Sequence, residues 1–440
     1  MSINPASMES YWMPFTANRD FKKQPRIFVR AEGHYYYTAD GRKLYDAFSG
    51  LWTSGLGHCH PKIVEAVQKQ VATLDYSLGF QAGSDKVFEL SDKITSLAPE
   101  GFNKVFFTNS GSESADTSLK IALAYHRARG EGHRTRLVGR EKGYHGVNFG
   151  GMSVGGMSPN RKAFGASLLP CVDHLPHTLN PEHNAYSRGQ PEWGMHLADD
   201  LERLAALHDG GNIAAVIVEP VCGSAGILPP PTGYLERLRE ICDRYGILLI
   251  FDEVITAFGR IGEAFGAQRL GVTPDIINTA KGLTNGVIPM GAVMVQDGIY
   301  NAFMQGPAEA IELFHGYTYS GHPVSAAAGI AAFEAYDEEG TFAQSRSLEQ
   351  PFEDALHSLA DHPKVSDVRN FGLMGGIDLV ARPDAPGARG LEVHKKCYWE
   401  EDLVVRNGGD ILQFSPFLNS RPDDISMTFE KVRKVLDSID

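Results

Sequence analysis

Between residues 85 and 315 the chain alternates short unbroken apolar runs with longer stretches whose apolar residues recur every three or four positions. The runs at 104–108, 135–139, 214–219, 247–252, 276–279 and 291–295 predict strands. The stretches at 112–129, 198–208 and 233–245 predict helices between them. Strands that are apolar throughout, rather than alternating, belong to a mainly parallel sheet covered on both faces. Such sheets collect ligands at the carboxyl edge of their strands. The first sixty residues differ: aromatic and polar positions alternate, and Asp40-Gly41 between two β-prone runs predicts a hairpin. From Pro61 a helix is expected, with Ile63, Ala66, Val67, Val71 and Leu74 on one face. After Pro323 the pattern predicts helices over 326–338 and 348–360, strands over 365–371 and 374–379, and a closing helix over 422–439. The expected architecture is α/β. A mainly parallel central sheet fills a large domain (61–322), and both chain ends (1–60 and 323–440) build a smaller α/β domain. The stretch 155–195, rich in Gly, Pro, Asn and His, reads as a long surface loop.

Composition narrows the class. With 42% hydrophobic and 22% charged residues among 440, the chain is an ordinary globular protein of two or three packed units. Its 41 basic and 54 acidic side chains give a net charge of -13, which repels polyphosphate and makes nucleic acid an unsuitable partner. Cys59, Cys171, Cys222, Cys242 and Cys397 form no C-x-x-C pair, so reduced thiols are expected rather than disulfides or a zinc site. Residues 1–15 lack the basic head and apolar core of a secretory signal, and runs such as 247–251 are far too short to cross a bilayer. A cytoplasmic protein without membrane attachment is expected.

Three features carry candidate chemistry. In Thr108-Asn109-Ser110-Gly111-Ser112-Glu113 a strand gives way to a helix through small residues, a junction whose free N–H groups suit a phosphate. Ser112 suits equally the plain role of helix N-cap. The run 247–251 delivers Asp252 and then Glu253 to a strand end. A carboxylate there either caps a helix or holds a proton on a pyridinium nitrogen. Ile276-Ile277-Asn278-Thr279-Ala280-Lys281-Gly282 ends the next strand with a lysine. One crossover separates the two strands, which brings Asp252 and Lys281 to the same edge of a parallel sheet. In Gly57-His58-Cys59-His60-Pro61 the two histidines lack a nearby third ligand, so no metal is expected.

Over essentially its whole length the chain resembles the class III (ω-) aminotransferases of pyridoxal-phosphate fold type I. The resemblance is carried by Asn109-Ser110-Gly111-Ser112-Glu113, Gly143-Tyr144-His145-Gly146, Val218-Glu219-Pro220, Phe251-Asp252-Glu253-Val254 and Thr279-Ala280-Lys281-Gly282, in order. It implies pyridoxal 5'-phosphate as cofactor, with Lys281 forming the internal aldimine and then moving protons as the catalytic base. Asp252 would bind the pyridine nitrogen, Val254 and Tyr144 the two ring faces, and Gly111 and Ser112 the phosphate. Glu219 would stand near the cofactor. Thr318 would reach the phosphate of a neighbouring subunit, which implies a homodimer with shared active sites and leaves pairing into tetramers open. The partners implied are a small-molecule amino donor and a keto acid.

Further likeness points to the branch that transfers amino groups from β-alanine and other ω-amino acids to pyruvate. It rests on Trp12-Met13-Pro14-Phe15-Thr16-Ala17-Asn18-Arg19, Gly50-Leu51-Trp52 and Arg188-Gly189-Gln190-Pro191-Glu192. Trp52, Phe15, Phe80 and Tyr144 would then line the donor channel, although Phe80 reads equally as core. Relatives that use 2-oxoglutarate carry an arginine where Gln413 stands here, whereas Arg406 matches the carboxylate-binding arginine of pyruvate users. Thr53-Ser54 departs from that branch after Trp52, which opens taurine or simple amines as donors. An aminomutase, racemase or decarboxylase on the same residues is the alternative chemistry.

Overall fold

The computed structural model describes residues 8–440; the first seven positions of the expected 1–60 segment, and of the leader reading over 1–15, lie outside the described residues. The N-terminal alternation forms a meander of β1 (Phe28–Glu32), β2 (Tyr35–Thr38) and β3 (Lys43–Asp46), with Asp40-Gly41 at its second turn. The apolar runs become β4 (Lys104–Thr108), β5 (Arg136–Arg140), β6 (Val172–Leu175), β7 (Ile213–Val218), β8 (Leu248–Asp252), β9 (Ile276–Thr279) and β10 (Gly291–Val295). They form one sheet in the order β4-β10-β9-β8-β7-β5-β6. Only β10 runs antiparallel to its neighbours within that sheet. Every residue of β7, β8, β9 and β10 is buried, including the polar strand ends Asp252 of β8 and Asn278-Thr279 of β9.

The registers fix the site. Asp252 at the end of β8 lies opposite Asn278 of β9, so Lys281, three residues further, emerges at the same edge. Two other strand ends open there: Glu219 follows β7, and the helix Gly111–Ala128 starts just beyond β4.

The reading of 155–195 as loop is corrected. It contains the helix Ser158–Phe164 and β6, which completes the sheet beside β5. As an edge strand β6 has one neighbour, and its Asp173 and His174 hide the apolar signal.

The C-terminal part adds β11 (Val365–Phe371), β12 (Met374–Leu379), β13 (Leu403–Val404), β14 (Arg406–Gly408) and β15 (Ile411–Phe414). Four of these form the sheet β11-β12-β15-β14, while β13 pairs in parallel with β3. Residues from the two chain ends therefore share a sheet. The helix expected over 348–360 ends early, at Glu349–His357, and a separate helix, Thr341–Ser347, precedes it. No helix among the described residues is long and apolar enough to cross a membrane.

Candidate active site

At the carboxyl edge of the central sheet lies a cavity of about 150 Å³ lined by Gly111, Ser112, Tyr144, His145, Gly146, Glu219, Asp252, Val254, Ile255, Ala280 and Lys281. Seven of the residues singled out in the sequence thus meet in one place. Lys281 follows β9 with its backbone in the left-handed region (φ 44°). Burial pushes its amine pKa down from 10.5 to about 8, against the attraction of Asp252 and Glu219, and the Arg406 and Arg260 guanidiniums add repulsion.

Asp252 is buried, and its carboxylate is fixed from two sides: Oδ2 lies 2.7 Å from His145 Nδ1, and Oδ1 accepts the Val254 N–H at 3.2 Å. His145 is a functional residue to which the sequence reading gave no role; its position directly after Tyr144 was the available signal. Its Nε2 is buried without a protein partner. Glu253, next to Asp252, does not line the cavity. Its carboxylate accepts the N–H groups of Gly266 and Ala267 and the Thr256 hydroxyl instead, which makes it the helix-capping acid of the pair.

The helix Gly111–Ala128 presents its first turn to the cavity. Its N-cap is Ser110, whose hydroxyl accepts the Glu113 N–H at 3.2 Å, so the N-cap reading of Ser112 is corrected by two positions. Ser112 lies inside the first turn, and its Oγ accepts only the Val147 N–H, at 3.1 Å. Its hydroxyl proton remains available to an anion. Close backbone approach needs glycine twice here: a Cβ on Gly111 would fall 2.9 Å from the Val254 side chain, and one on Gly146 2.5 Å from Ser112 Cα.

Tyr144 hands its backbone N–H to Glu219 Oε1 at 2.9 Å, and Glu219 also accepts the Cys222 thiol at 3.2 Å and the Gly223 N–H at 2.9 Å. The acid thus holds two loops rather than facing one cation. Beside the cavity, Trp52 is buried with its ring centroid 4.8 Å from Lys281 Nζ and 5.0 Å from Arg406 Cζ. Burial lowers the Arg406 pKa from its ordinary value, a mark of a guanidinium held out of water. Gln413 of β15 is buried, and its amide donates to the Ser224 carbonyl at 3.1 Å.

Like Trp52 and Arg406, three more expected residues do not line the cavity. Phe15 and Phe80 are 81% and 57% exposed, so neither is core, and neither reaches Lys281 within this chain. Thr318 is also exposed, and its carbonyl accepts the Tyr76 hydroxyl at 3.0 Å. Among the described residues no group of three or more His, Cys, Asp or Glu is placed to hold a metal ion.

The cavity has the chemistry of a flat ring with an anion at one end and a protonatable nitrogen at the other. Helix N–H groups and the Ser112 hydroxyl would face the anion, a pinned carboxylate the nitrogen, and an amine of lowered pKa the reactive carbon. Pyridoxal phosphate fits this set. The family model described as aminotransferase class-III matches residues 16–436. The chain is 56% identical over 433 residues to an ω-aminotransferase of Caulobacter vibrioides, covering 98% of both chains. It is 52% identical over 436 residues to a β-alanine–pyruvate aminotransferase of Pseudomonas aeruginosa, covering 98% of this chain and 96% of that one. Among solved structures, the ω-transaminase from Pseudomonas jessenii in complex with PMP matches with a TM-score of 0.92 at 29% identity, over 100% of this chain and 98% of that one.

Proposed function

Since this chain belongs to the class III aminotransferases, we propose that it moves an amino group from an ω-amino acid of the β-alanine kind to pyruvate, with Lys281 as catalytic base. It is a pyridoxal-phosphate enzyme of fold type I. When bound, the cofactor supplies an aldehyde that captures amines and a ring that draws electrons from the substrate carbon. Lys281 Nζ, deionised above about pH 8, takes the proton from that carbon and returns it on the far side of the transfer. Asp252, held by His145 and the Val254 N–H, keeps a proton on the ring nitrogen. Gly111 and Ser112, which line the cavity, would hold the phosphate, and Tyr144 and Val254 would stand against the ring faces.

The acceptor follows from the arginines. With Gln413 bound to the loop carbonyl of Ser224, the guanidinium left beside Lys281 and Trp52 is Arg406. A fork-shaped cation there pairs with one carboxylate, which suits β-alanine and pyruvate in turn. This is the observation that carries the substrate reading. Its test is a steady-state panel with β-alanine as donor. Alanine formed from pyruvate is expected at least ~10-fold faster than glutamate from 2-oxoglutarate, the scale on which one unmatched charge discriminates. Equal rates with both acceptors would remove it. The names of the relatives above support the same donor and acceptor.

The enzyme is further read as a homodimer that completes each site with Thr318 and Phe80 of the other copy. Gly316 packs against Phe80, close enough that a Cβ would fall 2.8 Å from its ring, so Phe80 and Thr318 share one exposed surface. Five unpaired cysteines support a reducing compartment, the cytoplasm.

A further inference from the structure

The His58/His60 pair has no place in the chemistry above. His60 Nε2 lies 2.8 Å from Glu339, whereas His58 Nε2 lies 2.9 Å from Asp46, a fully buried carboxylate at the end of β3. Asp46 does more than hold a histidine. Its Oδ1 accepts the Phe48 N–H at 2.9 Å and its Oδ2 the Gly50 N–H at 2.6 Å. From the other side the buried Arg260 donates Nη2–H to Ser49 Oγ at 3.0 Å and is itself anchored on the Pro416 carbonyl at 2.6 Å. Between these anchors the backbone is left-handed at Ser49 (φ 41°), Gly50 (φ 72°) and Trp52 (φ 59°). A serine and a tryptophan hold such angles only where their surroundings over-determine them. The segment ends in Trp52, whose indole stands over Lys281 and Arg406 and packs on Phe48 at 4.3 Å.

We propose that Asp46 is a specificity-determining positioning residue. Together with His58 and Arg260 it locks residues 48–52 so that the Trp52 indole keeps a fixed distance from Lys281 and Arg406, which limits the bulk of the donor. Asp46 touches no substrate; it acts through Trp52. The inference rests on the amino-transfer reading of the site. Loss of the Asp46 charge weakens the acceptor of the Phe48 and Gly50 N–H groups. Ser49 and Trp52 then relax toward ordinary backbone angles, and the indole withdraws.

The test is a double-mutant cycle on the holoenzyme, read as the ratio of kcat/KM for phenylethylamine to that for β-alanine, both with pyruvate. Asp46→Asn is expected to raise this ratio about tenfold, the scale of a displaced substrate-positioning group. In a Trp52→Ala background the same change is expected to alter the ratio less than about twofold, because the group it positions is gone. His58→Gln, which leaves Asp46 in place, is expected to move the ratio in the same direction by roughly threefold, and it carries the test if Asp46→Asn fails to fold. A ratio unchanged by either variant, or one that shifts equally in both backgrounds, would overturn the role of Asp46 while leaving amino transfer intact. Failure of the unaltered protein to transfer amino groups would remove the substrate reading and this inference together.

Discussion

At Lys281 the ammonium form loses water and stands near two guanidiniums, so the amine is half neutral at about pH 8 instead of 10.5. Because this pKa is lowered, the neutral form gains as pH rises and is complete only above about 8. Competitive acylation of cofactor-free protein, read at Lys281 by mass spectrometry, should therefore rise roughly tenfold per unit between pH 6 and 8 and then level, since only the neutral amine attacks. A rise continuing to pH 10 would mean that the site does not deionise its lysine. Arg406 permits a second residue-scale prediction. Arg406→Ala should lower kcat/KM for β-alanine and pyruvate by about 10–100-fold, the loss of one charged bidentate contact. Phenylethylamine, which has no carboxylate, should be spared in its half-reaction; equal loss for both donors would take Arg406 out of carboxylate binding. Lys281 and Asp252 were legible in the sequence because Asp252 ends an apolar strand and Lys281 follows just after the next one, and the register of β8 and β9 then leaves them no choice of edge. Ser112 was legible as a phosphate ligand but not as the second residue of its helix. Ser110 and Ser112 are the same residue type, and only the backbone decides which of them caps.

Strands were read nearly to the residue where their apolar runs are compact: β4, β9, β10, β11 and β12 have the predicted bounds, and β7 and β8 differ by one residue. Those defined by contact were not. β13 is two residues long and exists by pairing with β3, and the helix Ala388–Glu400 was hidden by Gly390, where a Cβ would fall 2.1 Å from the Gly409 carbonyl oxygen. A glycine that weakens the helical signal is there to let the helix meet the β14–β15 turn. Glu253 shows an element relying on one buried group. Its carboxylate serves the N–H groups that open the helix Gly266–Leu270, and burial raises its pKa from 4.5 to about 7. Glu253→Ala should cost roughly 2–4 kcal/mol, since it leaves buried donors unmatched. The pH dependence has a defined sign. A carboxyl with a raised folded pKa stabilises most below about 4.5, and that contribution is lost as pH rises through about 7. The gap in unfolding free energy from urea titration between the unaltered protein and Glu253→Gln should therefore narrow from pH 5 to pH 8, by about 3 kcal/mol at most. A gap that stays constant over that range would show that the buried acid is ionised throughout.

At the scale of the whole molecule, Phe80 and Thr318 stand exposed and outside the cavity, which suits the proposed homodimer. Close to them in the chain, Leu78 is exposed at 64%, Tyr319 at 57% and Phe314 at 89%, and exposed apolar side chains of this size suit an interface. The apolar pattern that places Phe80 inside a monomer core is the same one that places it inside an interface, which is why Phe80 read equally as core and as pocket. In the proposed homodimer, a twofold assembly would bring Thr318 of each copy toward the phosphate end of the other copy's cavity. Mixing two impaired variants tests that geometry. Lys281→Ala has no catalytic amine, and Thr318→Ala is expected to bind pyridoxal phosphate about 10–100-fold more weakly through one lost charged hydrogen bond. When the two are unfolded or dissociated and reassembled together at limiting cofactor, about half of the dimers should be mixed, and each mixed dimer contains one fully intact site of two. Activity should return to about a quarter of the unaltered enzyme's, well above the sum of the parents assembled alone. If each site were built from a single chain, every Lys281 in the mixture would face a weakened phosphate cup of its own, and mixing would yield only that sum.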